Sequence, residues 1–201
     1  MGNTKNIFWD FDGVILDSNK IRTLGFREVL KDYPESEVHS LIEFHEYNGG
    51  LSRYVKFRYF FETIRNESVS ESEIKTLADN FSKISIPKLA DKNLIISQSL
   101  DYIKNNYKNI QMFIVSGSDE KELNQLCGLL NISSFFREIK GSPVEKKKLV
   151  KELIGKYEID LDTSILIGDS INDFDAAKFN QISFMGFGNK FISNYSNIKL
   201  F

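Results

Sequence analysis

Cysteine is nearly missing from this chain: Cys127 stands alone among 201 residues. One thiol can form no internal disulfide and no cysteine-based zinc cluster. It lies in a stretch of helical periodicity, where a buried structural thiol is expected. Proline is almost as scarce, with three residues. Pro34 and Pro87 read as helix breaks, and Pro143 follows a glycine turn. No apolar run is long enough to span a membrane. Neither sign of charge dominates, since 26 basic residues face 28 acidic ones for a formal net charge of −2. This gives no global attraction to nucleic acid or to an anionic membrane, so an anionic ligand has to be drawn by a local patch. Repeats and low-complexity linkers are absent. A secretory leader is not expected, because the first motif begins within ten residues of the N-terminus. The expected location is the cytoplasm.

With 41% hydrophobic and 27% charged residues, the composition is that of a soluble globular protein. The length suits one domain, or one domain carrying a modest insertion. The organising stretch is Ile7-Phe8-Trp9-Asp10-Phe11-Asp12-Gly13. Its apolar start reads as a buried strand. Asp10 and Asp12 point the same way if the strand continues through them, and Gly13 lets the chain turn away. Two close carboxylates need a cation, a shared proton or a hydrogen-bond donor. Magnesium is the simplest answer, because hard cations take oxygen ligands. An isolated Asp-x-Asp-Gly is equally an ordinary turn.

Along the chain, a helix is predicted over about 18–31, with Asp17 or Ser18 as N-cap. Helices follow at about 36–46, 51–65 and 71–84. Tyr54, Phe57, Phe61 and Ile64 form one apolar face, and Ser70 with Glu73 forms a capping box. From about residue 94 the pattern changes to helix 94–107, strand 111–115, helix 119–130, strand 135–139, helix 144–156, strand 164–167, helix 171–178 and strand 182–185. Strands alternating with helices indicate a parallel sheet covered on both faces.

Three further clusters accompany the first: Ile114-Val115-Ser116-Gly117-Ser118, Gly141-Ser142-Pro143-Val144-Glu145-Lys146, and Leu166-Ile167-Gly168-Asp169-Ser170-Ile171-Asn172-Asp173. In this order, over nearly the whole chain, the four pieces resemble the four motifs of the haloacid dehalogenase (HAD) superfamily. The resemblance implies an α/β fold: a doubly wound, Rossmann-like parallel sheet core, residues 1–16 and 89–201, with a small inserted α-helical cap, residues 17–88. Hinges are expected near 16–20 and 87–92.

The resemblance makes Asp10 the nucleophile, through an aspartyl-phosphate, and Asp12 the acid and base, which requires a raised proton affinity. Ser116 becomes a donor to the phosphoryl group, aided by backbone N–H groups around Gly117, while Ser118 is the better N-cap for the following helix. Lys146, rather than its neighbour Lys147, becomes the lysine that neutralises Asp10 and the phosphate. Asp10, Asp169 and the main-chain carbonyl of Asp12 become ligands of Mg2+, and Asp173 a further ligand or a residue that supports them. In the cap, His45, Asn48, Arg53 and Lys56 cluster around the Gly49-Gly50 turn. They can reach the core and read an anionic group, with Arg53 offering a forked contact, or form a basic solvated face around a structural histidine. Arg58 points elsewhere. The implied activity is a magnesium-dependent phosphatase acting on a small phosphorylated metabolite such as a sugar phosphate, working as a monomer or homodimer. The alternatives are a phosphomutase and a non-catalytic binding protein. The mutase reading is weakened by Arg22, which stands where such relatives carry a histidine.

Overall fold

A computed structural model describes residues 4–197. The start of the polar lead (1–3) and the end of the C-terminal tail (198–201) lie outside the described residues. The first strand, β1 (Asn6–Trp9), is buried along its whole length. It is flanked by β2 (Gln111–Asp119) and β4 (Ser164–Gly168), with β3 (Glu138–Ser142) outside β2 and β5 (Ser183–Gly186) outside β4. All pairings are parallel, in the order β3-β2-β1-β4-β5. Trp9 sits opposite both Ile114 and Ile167, so the residues following these three strands emerge at one end of the sheet. The strand order reverses at β1, and the crevice at such a switch point is where open α/β sheets bind ligands.

Period-two alternation sorts the side chains. Ile7 and Trp9 join an apolar cluster with Ile103 of α5 (Ser97–Asn106) and Leu123 and Leu126 of α6 (Glu120–Leu129). Phe8 faces the other way, towards Leu149, Val150 and Leu153 of α7 (Lys146–Tyr157) and Ala176 and Ala177 of α8 (Ile171–Phe179). Each face of the sheet is therefore covered, as the near-continuous apolar strands required.

Between β1 and α5 lie four helices: α1 (Asn19–Val29), α2 (Glu35–Tyr47), α3 (Arg53–Tyr59) and α4 (Glu71–Leu89). They bury an apolar cluster of their own, including Phe26, Leu41, Phe57, Phe60, Phe61 and Phe81. A π-type turn at Phe60–Ile64 continues α3. Phe60 stands three residues after Phe57, hence on the same helical face, and is buried beside Phe61. The capping box at Ser70 and Glu73 is formed. Pro87 does not end α4, which runs to Leu89. In the last turn a missing N–H removes a single ladder bond, and Ala90 N donates to Ile86 O at 3.0 Å to close the helix. The two crossings between core and insert lie side by side: Asp17 N donates to Leu94 O (2.8 Å) and Ile96 N to Ile15 O (2.9 Å). A last short helix, α9 (Lys190–Ser193), follows β5. No helix among the described residues is long and apolar enough to cross a membrane.

Candidate active site

The ends of β1, β2 and β4 open into a cavity of about 850 Å³, roofed by the helical insert. Asp10 lies at its floor, 2% exposed. Asp10 N donates to Ile167 O at 2.8 Å, which fixes the residue against β4. Lys146, the first residue of α7, reaches back so that its Nζ lies 2.8 Å from Asp10 Oδ1 and also contacts Asp173 Oδ1. Burial opposes its charge, but the two carboxylates outweigh burial and hold the ammonium well above the usual lysine range. Lys147 instead lies on the surface beside Glu145, at 3.2 Å.

Asp169 follows β4, and Asp173 lies in the first turn of α8, where it accepts from Ser170 N at 3.1 Å. Carboxylate oxygens of Asp10, Asp169 and Asp173 lie within 4.8 Å of one another. Burial, then the neighbouring Asp173 charge, raises Asp10 well above the ordinary carboxylate range. The same two causes lift Asp169 to about 7, against hydrogen bonding from Asn19 at 3.3 Å. A cluster of oxygens that resist ionising together has the donor chemistry a hard divalent cation satisfies. Gly13 turns with φ +76°, and a Cβ there would fall 2.0 Å from Asp169 Oδ2. The glycine is needed both for the turn and for the approach of β4.

Asp12 departs from expectation. Its carboxylate accepts from Arg22 Nε at 2.9 Å, from Ser118 Oγ at 2.6 Å and from Ser18 Oγ. Burial raises its proton affinity, but Arg22 and the two hydroxyls outweigh burial and bring the pKa below the ordinary value. The elevated affinity inferred for an acid is thus absent in this arrangement, because α1 delivers a guanidinium to it. Ser18 is the N-cap residue of α1, as expected, but its hydroxyl serves Asp12 and not the helix. Ser118 is corrected: it is not the N-cap of α6. Asp119 takes that role, accepting from Glu122 N at 3.0 Å. Ser116 is 1% exposed, lines the cavity, and its Oγ accepts from Ser118 N at 3.1 Å.

The insert reaches down as the Gly49-Gly50 turn suggested. Asn172 Nδ2 donates to Gly50 O at 2.8 Å, and a Cβ on Gly117 would stand 2.0 Å from that same carbonyl. His45, Asn48, Arg53 and Lys56 all line the cavity. Arg53 does not present a free fork. It is 4% exposed, and its Nη1 donates to Glu122 Oε2 and Ser82 Oγ, each at 2.7 Å, with the guanidinium 4.4 Å from the Phe81 ring centroid. Asn48 Nδ2 bonds within its own helix, to Phe44 O at 2.9 Å. Arg58 is engaged on the surface by Glu62 and Glu71.

Arg22 and Glu122 escaped the sequence reading as site residues. Arg22 bridges Asp12 and Glu122, and Glu122 in turn holds Arg53. The four-residue spacing of Ser18 and Arg22, which puts both on one face of α1, was a usable signal for Arg22. Nothing local marks Glu122, which reads as one more acidic residue in the first turn of a helix.

The haloacid dehalogenase-like hydrolase model matches residues 7–187. No curated protein matches the chain. Among solved structures, a β-phosphoglucomutase from Clostridium difficile is 20% identical, with TM-score 0.74, covering 98% of this chain and 91% of its own. A protein of Haemophilus somnus described as a predicted phosphoglycolate phosphatase is 18% identical, with TM-score 0.70, covering 92% and 86%. A HAD-hydrolase of Bacillus subtilis, solved bound to magnesium, is 17% identical, with TM-score 0.64, covering 91% and 86%. At these identities the likeness is one of fold. The family match over nearly the whole sequence, with the motif residues gathered at one end of a five-stranded parallel sheet, means that the chain belongs to the haloacid dehalogenase-like hydrolases.

Proposed function

We propose that the protein is a phosphatase that hydrolyses a small phosphomonoester through an aspartyl-phosphate on Asp10. The observation that carries this is the buried contact of Asp10 with Lys146 at the floor of a substrate-sized cavity. A carboxylate poised there can attack phosphorus, and the ammonium beside it offsets the charge of the phosphoryl oxygens. In the first step an Asp10 oxygen bonds to phosphorus as the ester P–O bond breaks, and the departing alkoxide takes a proton from Asp12. In the second, a water gives a proton to Asp12 and attacks phosphorus, and the P–O bond to Asp10 breaks. Asp12 as held here, ionised against Arg22, is in the state that accepts the water's proton. Loading it as an acid requires that Arg22 let go, which a movement of the insert would accomplish. Ser116 and the Gly117 N–H are the donors nearest to hand for the phosphoryl oxygens, and Lys146 orients Asp10 throughout.

Asp10, Asp169 and Asp173 fit a magnesium ion by donor type and mutual distance. When bound, it would supply positive charge to a transferring phosphoryl group. The test is phosphate release from a panel of phosphometabolites, with magnesium, with chelator, and with Asp10→Asn. Metal-dependent turnover absent from the variant is expected; turnover surviving in Asp10→Asn would refute the covalent route.

A further inference from the structure

Four buried cations face or adjoin the cavity: Arg22, Arg53, Lys56 and Lys146, each 5% exposed or less. Three are held by carboxylates, namely Arg22 by Asp12 and Glu122, Arg53 by Glu122, and Lys146 by Asp10 and Asp173. Lys56 is different. Its Nζ lies 2.8 Å from Nδ1 of His45 and 5.9 Å from the Phe26 ring centroid. No carboxylate comes within ion-pair distance of it among the described residues.

This is an unusual place for an amine. A buried ammonium without a counter-ion is costly. Burial, more than any other influence, brings Lys56 down to about 7. His45 offers no counter-charge, because an imidazole is either neutral or cationic; burial and then Lys56 itself push it down to about 3, which keeps it neutral and able to accept. The ring can accept one N–H of Lys56, and the other donors have only the cavity to serve. The phosphate end of the cavity already has its cation in Lys146. Lys56 comes from α3 of the insert and lines the cavity, where the alcohol part of an ester held at Asp10 would extend.

We infer that the alcohol part of the substrate carries a second anionic group, a carboxylate or another phosphate, and that Lys56, steadied by His45, binds it. The inference rests on the phosphomonoesterase reading and narrows it. An anion there completes an ion pair in a dry wall, whereas a neutral alcohol leaves the amine unmatched. Sites built around a buried polar partner reject ligands lacking that partner more strongly than apolar pockets do. Arg53, the cap cation that the sequence favoured for this task, is already paired with Glu122.

The test uses 2-phosphoglycolate, a sugar bisphosphate and glycerol 3-phosphate, on the wild type and on Lys56→Met. Turnover by the wild type should favour one of the two anion-bearing esters by about 100-fold or more in kcat/KM, and which one identifies the second group. Lys56→Met should cost that ester about 100-fold more than it costs glycerol 3-phosphate, with Lys56→Arg recovering part of the loss. Equal losses on both kinds of ester, or a wild-type preference for glycerol 3-phosphate, would overturn the inference. Binding to Asp10→Asn, read by calorimetry, separates this from a failure of the hydrolytic reading. Weaker binding of the same anionic ester when Lys56→Met is added supports the site even without turnover, and unchanged binding overturns it. Methionine matches lysine closely in length and suits a buried position, and urea unfolding checks that the variant is folded.

Discussion

Replacing Glu122 with alanine tests whether the insert is locked to the core by buried charge. Its side chain is 1% exposed and sits between the buried side chains of Arg22 and Arg53. Glu122 belongs to α6 of the core, and both arginines belong to the insert. The cluster therefore crosses the boundary where the two parts meet. With Glu122 gone, Arg22 keeps Asp12, but Arg53 retains only Ser82 Oγ at 2.7 Å, Ala78 O at 3.4 Å and the Phe81 face. Removing one partner of a buried pair costs about 3–5 kcal/mol, mostly because a charge is stranded. In a chain of this size each kcal/mol lowers Tm by roughly 2–4 °C, so a drop of about 6–20 °C is expected. Urea unfolding measures the loss directly. A simultaneous fall in the m value would mean that the insert unfolds ahead of the sheet. The double variant Arg53→Met with Glu122→Leu should recover about half or more of the loss, since an apolar replacement strands less charge. A loss below about 1 kcal/mol for Glu122→Ala, the range of an exposed pair, would refute the claim that this cluster is dry and closed.

The same residue predicts a pH effect. Burial opposes ionisation of Glu122, but Arg22 and Arg53 outweigh it and hold its pKa far below the unfolded value. A depressed folded pKa gives stability that is fully present above the unfolded value of about 4.3 and is lost as pH falls from there towards the folded one. Urea midpoints between pH 6 and 3 should fall more steeply for the wild type than for Glu122→Gln; parallel curves would contradict the shift. Magnesium at about 100 times its Kd should add about 2.7 kcal/mol of stability, read as a rise in Tm that Asp169→Asn abolishes. Lys146→Met should lower kcat/KM by about 100-fold or more, while Lys147→Ala, out at the surface, should leave it unchanged. Gly117→Ala should lower both Tm and turnover, at about 1–3 kcal/mol, because the new methyl collides with the Gly50 carbonyl and a backbone atom cannot swing aside.

The sheet and the helical insert were legible because their signals are local. Ile7-Phe8-Trp9, Ile114-Val115 and Leu166-Ile167 are apolar runs of strand length, each ending in a polar cluster, and residues 17–88 hold helical periodicity without a strand pattern. Those runs also carried Asp10, Ser116 and Asp169 to one end of the sheet, because parallel strands exit together. The motif spacing pointed to Lys146, which is the lysine the fold sets against Asp10. What the chain determined by itself was therefore the order of its elements and the end of the sheet where polar groups gather.

The partners of those groups were settled only in three dimensions. Pairings such as Arg22 with Asp12, Arg22 with Glu122 and Arg53 with Glu122 join residues separated by 10, 100 and 69 positions. Periodicity says which face a side chain takes on its own helix, and nothing about which charge from another helix arrives opposite it. Arg53 and Lys56 are both basic residues of one helix, three positions apart, and the sequence ranked the arginine as the reader of substrate. The fold put a core carboxylate against the arginine and none against the lysine. That difference in partner is invisible along the chain, because it depends on which core side chain arrives opposite each one.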